Sequence, residues 1–328
     1  DPNHPRMTVQ YEHRPPLELQ INEKLTVSLM FELKGPTMSH VQREISLVEN
    51  KYWRLKSSDA LSIPQWLTYL QLVSEFLCLA TTVPVYPLRL SAVIPGEANS
   101  SVPRYLPIFY HLQIKEELKD VDPWRMLFTF GDVYEKFGEI LDKWIIRAGI
   151  IGPTYSLYFS TLYNPRINLE NRFLNLTQAL ESYHRAIFDG KYTSEEEYKI
   201  IAKGIIDNLP STLDDDFRRS LVSRIKYGNE LSLRRRIKEI YDRHKEVIQS
   251  IIEKRDEFIE DVINTRNYLT HHDTSVAHLA LKDINLFRIS NRLQLIIEIC
   301  LLSEIGISGE SIAKIFSKDG LSRRSLYL

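Results

Sequence analysis

The chain has 328 residues, with 42 Lys+Arg against 43 Asp+Glu, a formal net charge of −1 and two cysteines, Cys78 and Cys300. Two thiols exclude a disulfide scaffold or a paired-cysteine zinc module, and the balanced charge excludes a basic chain that coats nucleic acid. An apolar fraction of 43% excludes bulk disorder, and the length is that of about two domains.

The first half alternates. Leu25, Val27, Leu29, Phe31 and Leu33 fall at every second position, the mark of a half-buried strand. Met7–Glu12, Val41–Val48, Val85–Val93 and Tyr105–Ile114 read likewise, separated by turns such as Gly35-Pro36 and Pro95-Gly96. One helix interrupts them at about Gln65–Ala80, and helices near Gly131–Ala148 and Thr154–Tyr163 lead onward. Residues 1–165 are thus expected to form a β-rich domain with a mixed, largely antiparallel sheet. His13, His40 and His111 stand alone there, and no catalytic constellation is visible. The chain opens on Asp1, so it is expected to be trimmed or part of something longer, with strands missing at its start.

Proline marks the boundary. Of 15 prolines only Pro210 lies beyond Pro165, which leaves residues 166–328 free to be helical. Helices are predicted at about Leu169–Phe188, Ser194–Leu209, Leu213–Tyr227, Leu231–His244, Val247–Leu269, Ala280–Ile305 and Gly309–Phe316. Ser194 before Glu195, Glu196 and Glu197, and Ser308 before Gly309, are start signals. Ala280–Ile305 is apolar over much of its circumference and belongs at the centre of a bundle. The fold class is therefore α+β, a β-rich N-terminal domain followed by an all-α bundle. The two most apolar segments, Trp66–Leu79 and Ile284–Ile305, carry Glu75 and Arg288, Arg292, Glu298 and Glu304 respectively, so neither reads as a membrane span. Reduced thiols and the lack of an export signal point to the cytoplasm.

The helix before residue 270 carries an apolar stripe of Ile248, Ile252, Ile259 and Val262/Ile263 that runs on into Arg266, where a hydrophobe is due. Such breaks of pattern are expected at functional sites. Asn267, Tyr268, Leu269, Thr270, His271, His272 and Asp273 follow, closing the helix without a glycine. Asn267 and His271 share a helical face, whereas Arg266 and His271 lie about 140° apart unless the helix ends near Thr270. Arginine offers phosphate a fixed fork of donors, and histidine exchanges protons near neutrality. His271, His272 and Asp273 are consecutive and do not converge easily on one ion, so no metal is expected.

Arg266-Asn267-x3-His271 resembles the motif of ribonucleases of the HEPN superfamily, an Arg, a polar residue and a His after four to six positions. The spacing alone also admits Arg6/His13 and Arg104/His111, but these lie among strands and lack the polar residue. His272 is admitted as a rival to His271; the commoner form of the motif favours His271. A second family feature, an acid followed four positions later by a base, is matched by Glu181 and Arg185. The likeness covers roughly 165–317, and with a β-rich region in front the chain looks like the ApeA type. The resemblance implies metal-independent cleavage of RNA without a cofactor, by attack of a 2′-hydroxyl on its own phosphate. It makes His271 the acid/base, Arg266 the phosphate clamp, Asn267 the orienter, and Glu181 and Arg185 supports, within a homodimer whose motifs face each other. It further implies abortive-infection defence against phage, with a phage-derived trigger acting on the N-terminal domain. The rivals are a silent HEPN module that grips RNA or nucleotide, a toxin beside a nucleotidyltransferase antitoxin, and a structural oligomerisation protein. From Arg218 to Lys245 ten Lys/Arg face three acids, with Arg234, Arg235 and Arg236 at the centre, a candidate RNA track or a solvated helix face.

Overall fold

The computed structural model describes residues 10–12, 14–39, 44–94, 104–109, 121–164, 166–272 and 274–323. Three strands, β1 (Leu17–Gln20), β2 (Leu25–Ser39) and β3 (Glu44–Ser57), form an antiparallel sheet in the order β1-β2-β3. β1 was not evident from the alternating pattern because it is only four residues long. Leu25 and Val27 are buried at the base of β2, while Leu29, Phe31 and Leu33 are half-buried as the ribbon runs outward. Gly35-Pro36 is not a turn. β2 passes through it as an irregularity between Lys34 and Thr37, with Gly35 at φ +116, where a Cβ would meet the Ser46 carbonyl oxygen at 2.6 Å.

Helix α1 (Ile63–Thr81) follows, its start fixed by Pro64 in the first turn and by the Ser62 N–H donating to Gln65 Oε1 at 2.8 Å. The strands β4 (Leu90–Ile94) and β5 (Arg104–Ile108) form a separate antiparallel pair. The expected Val85–Val93 strand therefore begins five residues late. Of Met7–Glu12 only 10–12 are described, without strand structure, and Pro95-Gly96, His13, His40 and His111 lie outside the described residues.

The one-turn helix α2 (Phe130–Val133) leads into α3 (Phe137–Tyr163). The two helices expected around Pro153 are a single element kinked at Ile151 (φ −110, ψ 26), where proline's missing donor breaks the ladder. After α3 come α4 (Leu169–Ile187), α5 (Glu195–Asp207), α6 (Asp215–Lys226), α7 (Leu233–Arg243), α8 (Lys245–Ile248), α9 (Arg255–His271), α10 (Asp283–Glu304), α11 (Gly309–Ile315) and α12 (Lys318–Arg323). The helix expected over Val247–Leu269 is broken. The Ile252 carbonyl, which a continuous helix would pair with the Asp256 N–H, instead accepts from the Tyr241 hydroxyl at 3.2 Å.

One apolar core runs from Leu25 and Val27 of the sheet, through Phe76, Trp144 and Tyr158, to Ile299 and Leu302 of α10. Leu293, Leu295, Ile299, Cys300, Leu301 and Leu302 are fully buried, so α10 is the bundle's centre, as its apolar circumference predicted. The buried Glu304 at its end is held from three helices. Tyr183 Oη donates to it at 2.9 Å, Arg147 Nε lies at 3.1 Å and Arg243 Nη2 at 3.6 Å.

Candidate functional site

Helix α9 buries Phe258, Ile259, Val262 and Thr265. The deepest residue after Val262 is Thr265, fully buried, and its Oγ1 accepts the Leu281 N–H at 3.0 Å, which ties the following segment back to the helix. Arg266 is the residue next to that buried row, and it is half-buried at the edge of the packed face. The break of pattern is therefore real but shallow.

His271 is the last helical residue. His272 adopts the left-handed conformation (φ 50, ψ 34), and its N–H bonds the Tyr268 carbonyl at 2.7 Å. It does what a glycine does at most such ends. Arg266 Nη1 donates to Asn267 Oδ1 at 3.3 Å, which leaves the rest of the guanidinium fork available. Among the described residues no carboxylate pairs with Arg266, and nothing bonds the exposed His271 ring. The structure thus brings Arg266 and Asn267 together and leaves His271 near them in sequence but unlinked. His272 stacks edge-on to Tyr268, with ring centroids 6.1 Å apart.

Glu181 and Arg185 belong to a different cluster. Arg185 donates to Glu181 at 3.0 Å and also to Glu230, and neither residue bonds to Arg266, Asn267 or His271. Beside them His184 is completely buried. Its Nδ1 accepts from Arg236 Nη1 at 3.0 Å, and its Nε2 donates to Glu239 Oε2 at 2.8 Å. Burial holds the His184 pKa below its ordinary value, and the positive charge of Arg236 pushes the same way against the Glu239 hydrogen bond. Arg236 also donates through Nε to the Leu231 carbonyl at 2.9 Å, and Gly190 lets it lie close, since a Cβ there would stand 2.8 Å from Nη1.

The basic triplet does not form one track. Arg236 is 1% exposed and points into the fold, so it is not available to a phosphate. Arg234 pairs with Glu260 and Arg235 with Glu239, because α7 lays its polar edge against α9 and its own next turn. His184 was missed by sequence reasoning. The signal was there: Phe173, Thr177, Leu180 and His184 follow the three-and-four spacing of a core stripe. No group of three or more His, Cys, Asp or Glu among the described residues is arranged to hold a metal ion, and no described helix is long and apolar enough to cross a membrane.

A helical bundle behind an antiparallel strand region is the layout expected of the two families whose models match this chain. The family model of the Apea-like HEPN domain fits residues 174–311, and that of ApeA N-terminal domain 1 fits residues 1–144. The chain belongs to the ApeA-like HEPN proteins. Its HEPN domain contains both clusters, from Glu181 and His184 to Arg266, Asn267 and His271, and its ApeA N-terminal domain contains the strands and α1. Neither the curated proteins nor the solved structures include a match to this HEPN chain.

Proposed function

We propose that this HEPN-type anti-phage effector is a metal-independent endoribonuclease that works as a cytoplasmic homodimer. The observation that carries the reading is the end of α9, where, among the described residues, Arg266 has no carboxylate partner and nothing bonds the exposed His271 ring. In this reading the Arg266 fork binds two oxygens of the scissile phosphate, and Asn267 orients Arg266 and the phosphate. His271 takes the proton from the 2′-hydroxyl as its oxygen attacks the adjacent phosphorus. The bond from phosphorus to the 5′-oxygen breaks, and a second imidazole, brought by a second copy of the chain, returns a proton to that oxygen. The products are a 2′,3′-cyclic phosphate and a 5′-hydroxyl. Dimerisation would supply the second imidazole, since among the described residues of one copy no side chain bonds the His271 ring. The N-terminal domain acts as the sensor of a phage-derived trigger, and cleavage of cellular RNA aborts infection.

The test is to incubate the purified chain with total RNA in EDTA and to sequence the ends. Wild type is expected to create 5′-hydroxyl and cyclic-phosphate ends that His271→Ala does not. The isolated, unlinked His271 also suits a silent HEPN module, alone or as partner of a nucleotidyltransferase. RNA retained on the wild-type chain without cleavage under every activating condition would favour that second reading.

A further inference from the structure

The densest basic string in the sequence, Arg234 to Arg236, is paired or buried, so the question is where unpaired positive charge reaches the surface. It does so on α6. This helix has no buried residue. Arg218, Val222 and Lys226 form one row at a spacing of four, and Arg219, Ser223 and Tyr227 form the next. These six residues line a shallow groove of about 470 Å³ that contains no carboxylate.

The cations in the groove are lightly held. Among the described residues the Arg218 guanidinium donates to the carbonyls of Leu209 and Pro210, each at a marginal 3.4 Å. Among the described residues Arg219 pairs with Asp216 at 3.3 Å, both side chains mostly in solvent, a pair worth little. Among the described residues Lys226 pairs with nothing. Tyr227 is 71% exposed, a large aromatic face turned to solvent. Val222, half-buried, gives the groove an apolar floor. The rows run about 12 Å from Arg218 to Lys226 at 1.5 Å per residue. Three residues beyond Tyr227 in the sequence, Glu230 accepts from Arg185 of α4.

We propose that this face of α6 holds a single-stranded segment of the RNA outside the cleavage point, with Arg218, Arg219 and Lys226 on successive phosphates and Tyr227 stacked on a base. Cations that track a backbone beside an aromatic that accepts any base are the chemistry of sequence-tolerant single-strand binding. An acidic protein segment would use the cations but leave Tyr227 without a role. The proposal rests on RNA being the substrate, yet it concerns binding and not cutting.

The experiment measures binding of a labelled single-stranded oligouridylate to the full chain in a His271→Ala background, so that cleavage does not interfere. Arg218→Ala with Arg219→Ala and Lys226→Ala is expected to weaken binding by about tenfold or more and to flatten its salt dependence. Tyr227→Ala is expected to weaken it by about fivefold or more with the salt slope unchanged. Arg234→Ala with Arg235→Ala should leave it within about twofold, their charges being matched by Glu260 and Glu239. Circular dichroism checks folding, and α6 buries nothing that these changes would expose. Unchanged affinity in the α6 variants, or an equal loss in the Arg234/Arg235 variant, overturns the proposal. Absence of oligouridylate binding alongside α6-dependent capture of polyglutamate overturns it in favour of an acidic partner. Binding that depends on α6 in a chain that never cleaves RNA would uphold this groove while refuting the nuclease reading. Cleavage that depends on His271 but not on α6 would do the reverse.

Discussion

His272 occupies the left-handed region that glycine favours, at a cost of roughly 1 kcal/mol for a side chain. His272→Gly is therefore expected to stabilise the chain by about 0.5–1 kcal/mol in urea unfolding, and, if His271 is the acid/base, to retain RNA cleavage. Loss of cleavage in that variant with a raised midpoint would move the proton-transfer role to His272. Two other histidines act on stability. His184 is held below its ordinary pKa by burial, and burial with the adjacent Arg243 pushes His244 down to about 4. Unfolded imidazoles take up protons below about pH 6.5, whereas in the fold His244 does so only near its lowered value and His184 is shifted the same way, so the unfolded chain binds more protons there. Stability is thus complete above that value and declines as pH falls through it toward the folded pKa. The urea midpoint should be lower at about pH 5.5 than at about pH 7.5, and His244→Gln should reduce the difference. The end of α9 stood out in the sequence because Arg266 interrupts an apolar stripe, and the structure leaves Arg266 half-buried at the edge of the packed face. The stripe marked the His184 position as buried, but a residue that fits its stripe is not singled out, so its pairing with Arg236 and Glu239 went unread.

At the scale of elements, boundaries were legible where a cap or a proline writes them. Ser194 and Ser308 each accept the N–H three residues on, from Glu197 and Ser311, and α5 and α11 start where the sequence placed them. The gap between α8 and α9 was not legible, because the partner that takes up the Ile252 carbonyl there is the Tyr241 hydroxyl, 11 residues away. The hairpin of α5 and α6 differs from the rest of the bundle. α5 buries only Ala202 and α6 buries nothing, while Ile200 is 75% exposed. Little apolar burial opposes its opening, so its amides are expected to exchange with solvent far faster than those of α10. Hydrogen exchange followed by mass spectrometry checks this, with equal protection of the two regions as the contrary result.

At the scale of the molecule, the α+β division was legible from the prolines and the two periodicities, but the contacts that join the parts were not. Trp144 is fully buried, donates to the Leu72 carbonyl at 2.8 Å and stacks on Tyr155 at 4.1 Å, linking α1 to both sides of the α3 kink. Trp144→Ala is expected to destabilise the whole chain by about 3–5 kcal/mol through lost burial and a cavity. Glu304→Ala, which strips Tyr183, Arg147 and Arg243 of a shared acceptor, should cost about 3 kcal/mol. Calorimetry should show both changes lowering every transition, because one core serves sheet and bundle alike; a loss confined to one transition would mean that the two parts unfold separately.

The kinked α3 also governs how the gene can be divided. Its first stretch, from Phe137, packs on the sheet and α1 through Phe137 and Trp144, and its last stretch covers α4 and α10 with Tyr158 and Phe159. An expression product that begins at residue 166 would leave those inner faces of α4 and α10 bare and is expected to come out of the cell insoluble. One that begins at Phe137 carries its own cover over α4 and α10, though it bares the Trp53 and Phe76 side of the same helix. The shortest workable product for the laboratory is thus set by a helix that neither end of the protein can spare.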